Sequence, residues 1–306
     1  MTDTTIVTFA CNREEHLRIS LESWLHSPFP IIVVDYSSDS PIRIDNDRVR
    51  VIRVDNRQNK WNRSHAVNIG VTQVETELAL ILDADLPIDD FEQLEDIKEK
   101  EYMAVCHQLV DDFDLTSTGG SCLIWMSDFN RLNGFAEYCE GWGYEDRDFY
   151  GRLYKAGVTR RLFLAPYLLH LDQDRYVNCG VPNKWHSHLI NAYRSYAYNK
   201  HVDPIVSNYG KPIGGSQPVS YITPEGCLSV YNADGEEIDL MTLLLERYHA
   251  FMTSPHRSKY EYECVCDIHL YPKNLMRIIN NLRRSGDLFI GVNPCSTEST
   301  TKKTGS

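Results

Sequence analysis

The sequence predicts an α/β chain, a mostly parallel sheet flanked by helices, followed by an additional α+β lobe at the C-terminus. Three observations carry this expectation. Apolar runs of strand length alternate with helical stripes over the first hundred residues. Several of those runs are apolar throughout, as strands covered on both faces are. Polar residues also collect where the runs end, which is where ligands bind in such sheets.

Taken in order, Ile6–Phe9 reads as a short buried strand. Asn12 then stands at an N-cap position with Glu15 as its capping-box partner. Leu17, Leu21, Trp24 and Leu25 form one apolar helical stripe, which stops before Pro28 and Pro30. Ile31–Val34 is a second strand running into a polar turn at Asp35. Residues 48–55, RVRVIRVD, alternate with period two as a half-exposed strand does. Ser64–Val74 is expected to be helical, and ELALILDAD (77–85) to be a strand buried on both faces. Cys122–Met126 is strand-like, 134–144 is a glycine- and aromatic-rich mobile loop, and Glu145–Ala156 is a helix with Gly157 as its C-cap. LFLAPYLLHLDQ offers one more strand ending near His170.

Beyond about residue 205 the character changes. SNYGKPIGGSQP reads as a loop or linker, 221–238 as a hairpin turning at Asp234-Gly235, and Leu240–Met252 and Lys273–Arg284 as helices. The expected organisation is a catalytic domain over 1–205, a lobe of hairpin plus helices over 206–293, and a disordered tail over 294–306.

Composition narrows the function. The chain has 306 residues with 43 acidic and 31 basic side chains, a net charge of -12. Residues 1–213 hold 32 of the acids against 22 of the bases. A partner bound through many phosphates needs clustered Lys and Arg, so long nucleic acid is not expected. No apolar run approaches the ~20 residues that span a bilayer, and MTDTTIVTFA lacks the basic and apolar regions of a signal peptide. The reading is a cytoplasmic protein with no transmembrane segment. Nine scattered cysteines fit reduced thiols better than a disulfide framework. Cys264 and Cys266, with His269 nearby, are read as two thiols on one strand face in preference to a metal site.

Three groups of residues could carry chemistry. Asp83 and Asp85 lie two apart at the end of an apolar strand, so period two would point both carboxylates one way. They suit Mg²⁺ or Mn²⁺, which take oxygen ligands and complete their shells with water and substrate phosphates, although an ordinary strand-end turn has the same sequence. Glu145 and Asp146 open a helix, where acids are stabilised without any catalytic role. A Gly-Trp-Gly loop precedes them, however, and a carboxylate covered by an aromatic loop suits a general base for a hydroxyl. His170 reads either as a strand-end histidine or as a ligand to a metal held by Asp85.

The segments FACNREEHL (9–17), WNRSHAVNIG (61–70), ILDADLP (81–87), TGGSCLIWMSDFNRLNGF (118–135), GWGYEDRDFYGRL (141–153) and YLLH (167–170) resemble, in this order, the motifs of the beta-1,4-galactosyltransferase family and the related bacterial chondroitin-polymerase-type enzymes. The resemblance implies a GT-A fold, Rossmann-like, and an inverting, metal-dependent transfer of a hexose or N-acetylhexosamine from a UDP-sugar to a glycan or small glycoside acceptor. It implies that Arg13, Trp61 and Arg63 contact the nucleotide and diphosphate and that Asp35 meets the uracil. Asp83 would face the ribose or the metal, and Asp85 and His170 would ligate Mn²⁺ (or Mg²⁺). Gly120 would approach the donor sugar under the loop carrying Trp142. Glu145 would hold the acceptor and Asp146 would be the base.

Four positions depart from the pattern. Cys11 replaces a nucleotide-binding arginine, Tyr144 a glycine, Arg147 an acid, and Tyr167 the methionine that favours Mn²⁺. Ser117, where a bulkier residue limits the sugar's 2-substituent, is compatible with an N-acetylhexosamine. Competing readings are a glycosyltransferase acting on a hydroxylated base in DNA, through Arg257–Arg284, and a non-catalytic glycan- or nucleotide-binding protein of the same fold. A homo-oligomer is left open.

Overall fold

The computed structural model describes residues 3–57, 61–88, 90–94, 96–107, 116–165, 191, 194–195, 205–216, 228–231, 237–238 and 289–292. His170, Tyr167, both C-terminal helices, the C-x-C pair and the tail lie outside the described residues. The chain divides into two compact units, Met1–Ser220 and Tyr221–Ser306.

The first unit is built on a seven-stranded sheet of order β3-β2-β1-β4-β6-β5-β7. Its strands are β1 (Thr4–Ala10), β2 (Ile31–Tyr36), β3 (Val49–Val54), β4 (Leu78–Ile81), β5 (Glu101–His107), β6 (Thr116–Trp125) and β7 (Thr159–Ala165). All pairs are parallel except those of β6, which runs antiparallel to both β4 and β5. This is the mostly parallel, helix-flanked sheet of the GT-A class. The helices are α1 (Glu14–Trp24), α2 (Arg63–Val71), α3 (Met126–Arg131) and α4 (Glu145–Lys155).

Every residue of β1 and β2 is buried, which explains why both are apolar apart from the threonines of β1 and Asp35. Alternate side chains feed two cores. Ile6, Ile31 and Leu80 pack with Leu17, Leu21 and Trp24 of α1. Val7, Val34 and Ile81 pack with Ala66 and Val67 of α2 and with Phe149 and Leu153 of α4. Each buried Leu, Ile or Phe contributes about 1.5–3 kcal/mol relative to exposure. Trp24 also donates from Nε1 to Leu86 O at 2.8 Å, tying α1 to the turn that carries Asp83 and Asp85.

Two local expectations are corrected. Arg13, not Asn12, occupies the N-cap of α1, and no side chain caps it. Asn12 has a φ of 55°, and its side chain instead exchanges hydrogen bonds with Asp39 across the loops after β1 and β2. β4 ends at Ile81, so Asp83 and Asp85 sit in a turn closed by Leu86 N to Asp83 O at 3.1 Å and not on a strand of period two. The segment read as a loop or linker is a loop of the first unit: Ser207 N donates to Leu132 O, and Asn133 Nδ2 to the carbonyls of Ser207 and Lys211.

Helix α4 ends as its sequence requires. Gly157, at a φ of 75°, donates to Tyr154 O while Val158 donates to Leu153 O, the paired bonds of a Schellman motif. In the second unit, β8 (Leu228–Tyr231) pairs antiparallel with β9 (Glu237–Ile238), as the hairpin reading requires, and with β10 (Phe289–Val292).

Candidate active site

The site forms where β1, β2 and β4 end, and Arg63 is its centre. Asn62 caps α2 by accepting from His65 N at 2.9 Å, which places Arg63 in the first turn with its side chain buried. Its Nη2 donates to Asp83 Oδ1 at 3.0 Å, and its Nε lies 3.7 Å from Glu145 Oε1. The guanidinium also lies over the rings of Phe9, at 4.9 Å, and Phe135, at 5.6 Å. Burial alone would lower its pKa, but the Asp83 and Glu145 carboxylates outweigh that and raise it. Its Nη1 is buried without a hydrogen-bond partner, a donor left for a ligand.

Arg13 Nη1 stands 3.8 Å from Asp85 Oδ2, both side chains mostly covered. Asp83 is oriented a second time through its backbone, whose N–H donates to Ser121 Oγ. Two carboxylates on one turn thus each face an arginine, and Asp83 meets Glu145 of α4 through Arg63. Glu145 is buried, and this raises its pKa to about 7, with the neighbouring Asp146 charge adding to the effect and Arg63 opposing it. Asp146 is less buried than Glu145. A buried carboxyl beside a more accessible one gives a pair with separated tasks, one to hold and one to take a proton.

Gly120, at a φ of 92°, lies against this centre. A Cβ there would meet Arg63 Nη1 and Nη2 at 2.6 Å. The glycine is therefore favoured both by its backbone conformation and by the guanidinium packed against it. Trp61 lies against Phe9, with ring centroids 6.2 Å apart, and edge-on to Tyr36 at 5.4 Å. Its carbonyl accepts from Gly141 N at 2.7 Å, and Asn191 Nδ2 donates to Glu140 O and Gly143 O. Trp142 is thus presented from a loop anchored on either side.

Asp35 departs from its expected role. It is fully buried, with Oδ1 accepting from Ser38 N and Oδ2 from Ile42 N and Arg53 Nη1. The chain reverses after β2, and its inward-facing donors take up the carboxylate. Asp35 braces that turn with both oxygens engaged by the protein. Cys11, at the neighbouring strand end, reaches only Ser37 O, at 3.8 Å, and burial and Asp35 raise its pKa.

Asp148 and Arg152, in the same motif as Glu145, are structural. They are paired at 2.8 Å and almost completely buried, and Arg152 donates to the carbonyls of Leu132 and Gly134. Among the described residues no three His, Cys, Asp or Glu side chains cluster to hold a metal by themselves. Sequence reasoning missed His65, Asn68, Glu137 and Asn208, which hold the site's walls together. The only signal was the two asparagines and the histidine within WNRSHAVNIG, polar residues on a helix that turns out to be buried along its whole length.

Residues 110–173 match the family described as the N-terminal domain of galactosyltransferase. No curated protein matches the chain. Among solved structures, S. aureus TarS 1–349 aligns at 16% identity over 55% of this chain and 58% of its own, less than two thirds, with a TM-score of 0.40. A Drosophila beta1,4-galactosyltransferase 7 in complex with manganese, UDP-Gal and xylobiose aligns at 15% identity, 58% and 74% coverage and a TM-score of 0.43. A Pyrobaculum calidifontis mannosyltransferase in complex with GDP-Man and Mn²⁺ gives 13%, 65%, 62% and 0.40. The fold assignment rests on the sheet described above. In its ordered motifs and its matched segment the chain resembles the GT-A glycosyltransferases of the galactosyltransferase type.

Proposed function

We propose that the chain is a metal-dependent, inverting glycosyltransferase that moves a hexose or N-acetylhexosamine from a UDP-sugar to a hydroxyl of a glycan or small glycoside acceptor. The observation that carries this reading is the meeting of two motifs at Arg63, whose guanidinium touches Asp83 of ILDADLP and Glu145 of GWGYEDRD. Departure of a nucleoside diphosphate separates charge, and a buried site with fixed charges of both signs is suited to stabilise that separation.

The roles are those the resemblance implies, except that of Asp35. Arg13 and the unpartnered Nη1 of Arg63 take the diphosphate, and Trp61 lines the base. Gly120 keeps the floor low beneath the donor sugar, and Trp142 covers it. Asp85, with His170, would hold Mn²⁺ or Mg²⁺, and Asp83 stands beside it. Paired carboxylates on one turn, with remaining ligands left to water and phosphate oxygens, fit a hard cation. When bound, the ion neutralises charge on the departing diphosphate. Glu145, buried and readily protonated, holds the acceptor. Asp146, the more accessible carboxylate, takes the proton from the attacking hydroxyl, and attack from the face opposite the leaving group inverts the anomeric centre. Asp35 is assigned to bracing the β2 turn.

A panel of nucleotide sugars, screened for thermal stabilisation with and without Mn²⁺, identifies the donor by mass action. With that donor, Asp146→Asn should leave UDP binding intact and lower turnover by on the order of 10² or more. Undiminished turnover would refute the base assignment.

A further inference from the structure

We propose that His65 is a positioning residue of the donor site, joining the aromatic wall formed by Tyr36 and Trp61 to the segment 205–216, so that this distant segment sets nucleotide affinity. The inference rests on the UDP-sugar reading through Trp61. It goes beyond that reading in assigning affinity to residues that touch no substrate.

His65 is fully buried and bonded at both ring nitrogens. Its Nδ1 lies 2.8 Å from Tyr36 Oη, and its Nε2 lies 2.9 Å from the carbonyl oxygen of Gly215. A carbonyl only accepts, so Nε2 carries the hydrogen, Nδ1 is the acceptor of the neutral ring, and Tyr36 donates to it. The hydroxyl in turn accepts from Asn56 Nδ2 at 2.6 Å. Burial and the Glu137 charge raise the pKa of Tyr36, so it keeps the proton this arrangement needs. The ring that bears this hydroxyl meets Trp61 edge-on, at an interplanar angle of 87°. Three side chains and one carbonyl thereby fix the rotation of the tryptophan expected to line the base.

The far end of the relay is itself held. Gly214 N donates to Glu137 Oε1 at 2.8 Å, and Asn68 Nδ2 donates to the same oxygen at 2.9 Å. A Cβ at Gly214 would lie 2.8 Å from Asn68 O, so the segment approaches α2 more closely than a side chain permits. At its other end, Asn208 accepts from Glu137 N and donates to Phe135 O. The segment is thus anchored at residues 207–208 and at 214–215. His65 links it to Tyr36 and through that ring to the indole of Trp61, whereas Glu137, whose carbonyl accepts from Asn62 Nδ2 at 2.7 Å, leads to the backbone beside Trp61 and to the loop before Trp142.

The test uses the full chain and UDP with Mn²⁺ as the probe, measured by calorimetry and paired with thermal melting. Failure of the unmodified protein to bind would overturn the donor reading itself, separately from the role of His65. Given binding, His65→Ala should weaken UDP by about 3- to 10-fold, the worth of one net hydrogen bond. With the transferable donor, KM should rise and kcat should hold within about twofold. Tyr36→Phe keeps the ring against Trp61 and removes only the hydroxyl, and should weaken binding in the same direction. His65→Gln can accept through Oε1 and donate through Nε2, and should restore affinity. Unchanged UDP affinity in a folded His65→Ala protein, or in Tyr36→Phe should His65→Ala fail to fold, overturns the proposal. A fall in kcat at constant KM overturns it equally.

Discussion

Replacing Glu145 by Gln should flatten the dependence of stability on pH across the range from about 4.5 to about 7. Burial beside Asp146 lifts this carboxyl from 4.5 to about 7 despite the opposing Arg63. In the unfolded chain the same group ionises near its ordinary value. As pH rises through this range the unfolded state therefore loses its proton first, and the native state binds more protons. Stability contributed by the protonated form is fully present below about pH 4.5 and is lost as pH rises through about 7. Each tenfold step in proton concentration is worth ~1.4 kcal/mol, which bounds the loss at on the order of 3 kcal/mol. Glutamine keeps the shape of the protonated acid and carries no charge. The variant should equal the parent near pH 4.5 and exceed it by that order at pH 8. Urea unfolding at several pH values in the presence of a chelator measures both curves, and subtraction cancels the other titrating groups. Parallel curves would refute the placement of Glu145 as a carboxyl held in a dry, acid-rich site.

Two further substitutions test the supports of the site. Gly120→Ala imposes a side chain at a φ of 92° and drives its Cβ to within 2.6 Å of a guanidinium that Asp83 holds in place. It should cost about 1–3 kcal/mol in denaturation and weaken UDP binding as Arg63 is displaced; binding and stability both unchanged would show that the guanidinium yields freely. Arg152→Met removes the cation 2.8 Å from the almost completely buried Asp148, which keeps the neutral donors Ser195 and Tyr138, and should cost about 3–5 kcal/mol. Adding Asp148→Asn should recover part of that loss, and an equal or greater loss in the double variant would argue against an uncompensated charge as the cause.

The sheet was legible because burial writes itself into sequence. The mostly apolar runs of β1 and β2 and the wholly apolar β4 admit few other readings, and Gly157 marks the end of α4 through a backbone geometry that glycine meets most easily. Less legible were β5 and the first half of β6, TSTGGS, whose hydroxyls and glycines carry no strand pattern. Asn12 was misread because an N-cap signal is local, while its side chain is claimed by Asp39 from another loop. Asp35 was misread for a similar reason: a polar residue at a strand end faces either ligand or protein, and only the path of the next turn decides which. The acids of the site were legible by motif, but their pairing through Arg63 was not, because nothing in a chain's spacing reports which cation lies between two carboxylates.

Helix α2 shows why the remainder could not be read from a pattern. All nine of its residues are buried, so it presents no polar face from which a direction could be inferred. Its polar side chains are divided by destination instead. Arg63 goes to the carboxylates of the site, His65 to Tyr36 and Gly215, and Asn68 to Phe135 and Glu137. Ala66, Val67, Ile69 and Val71 join the core against the sheet. A helix of this length is marginal alone and takes its stability from such contacts. The same bonds that hold α2 in the fold therefore hold the site in shape, and a substitution there acts on both. Affinity changes at these positions acquire meaning only beside a melting curve, and a variant that binds more weakly at unchanged stability locates the bond that serves the ligand.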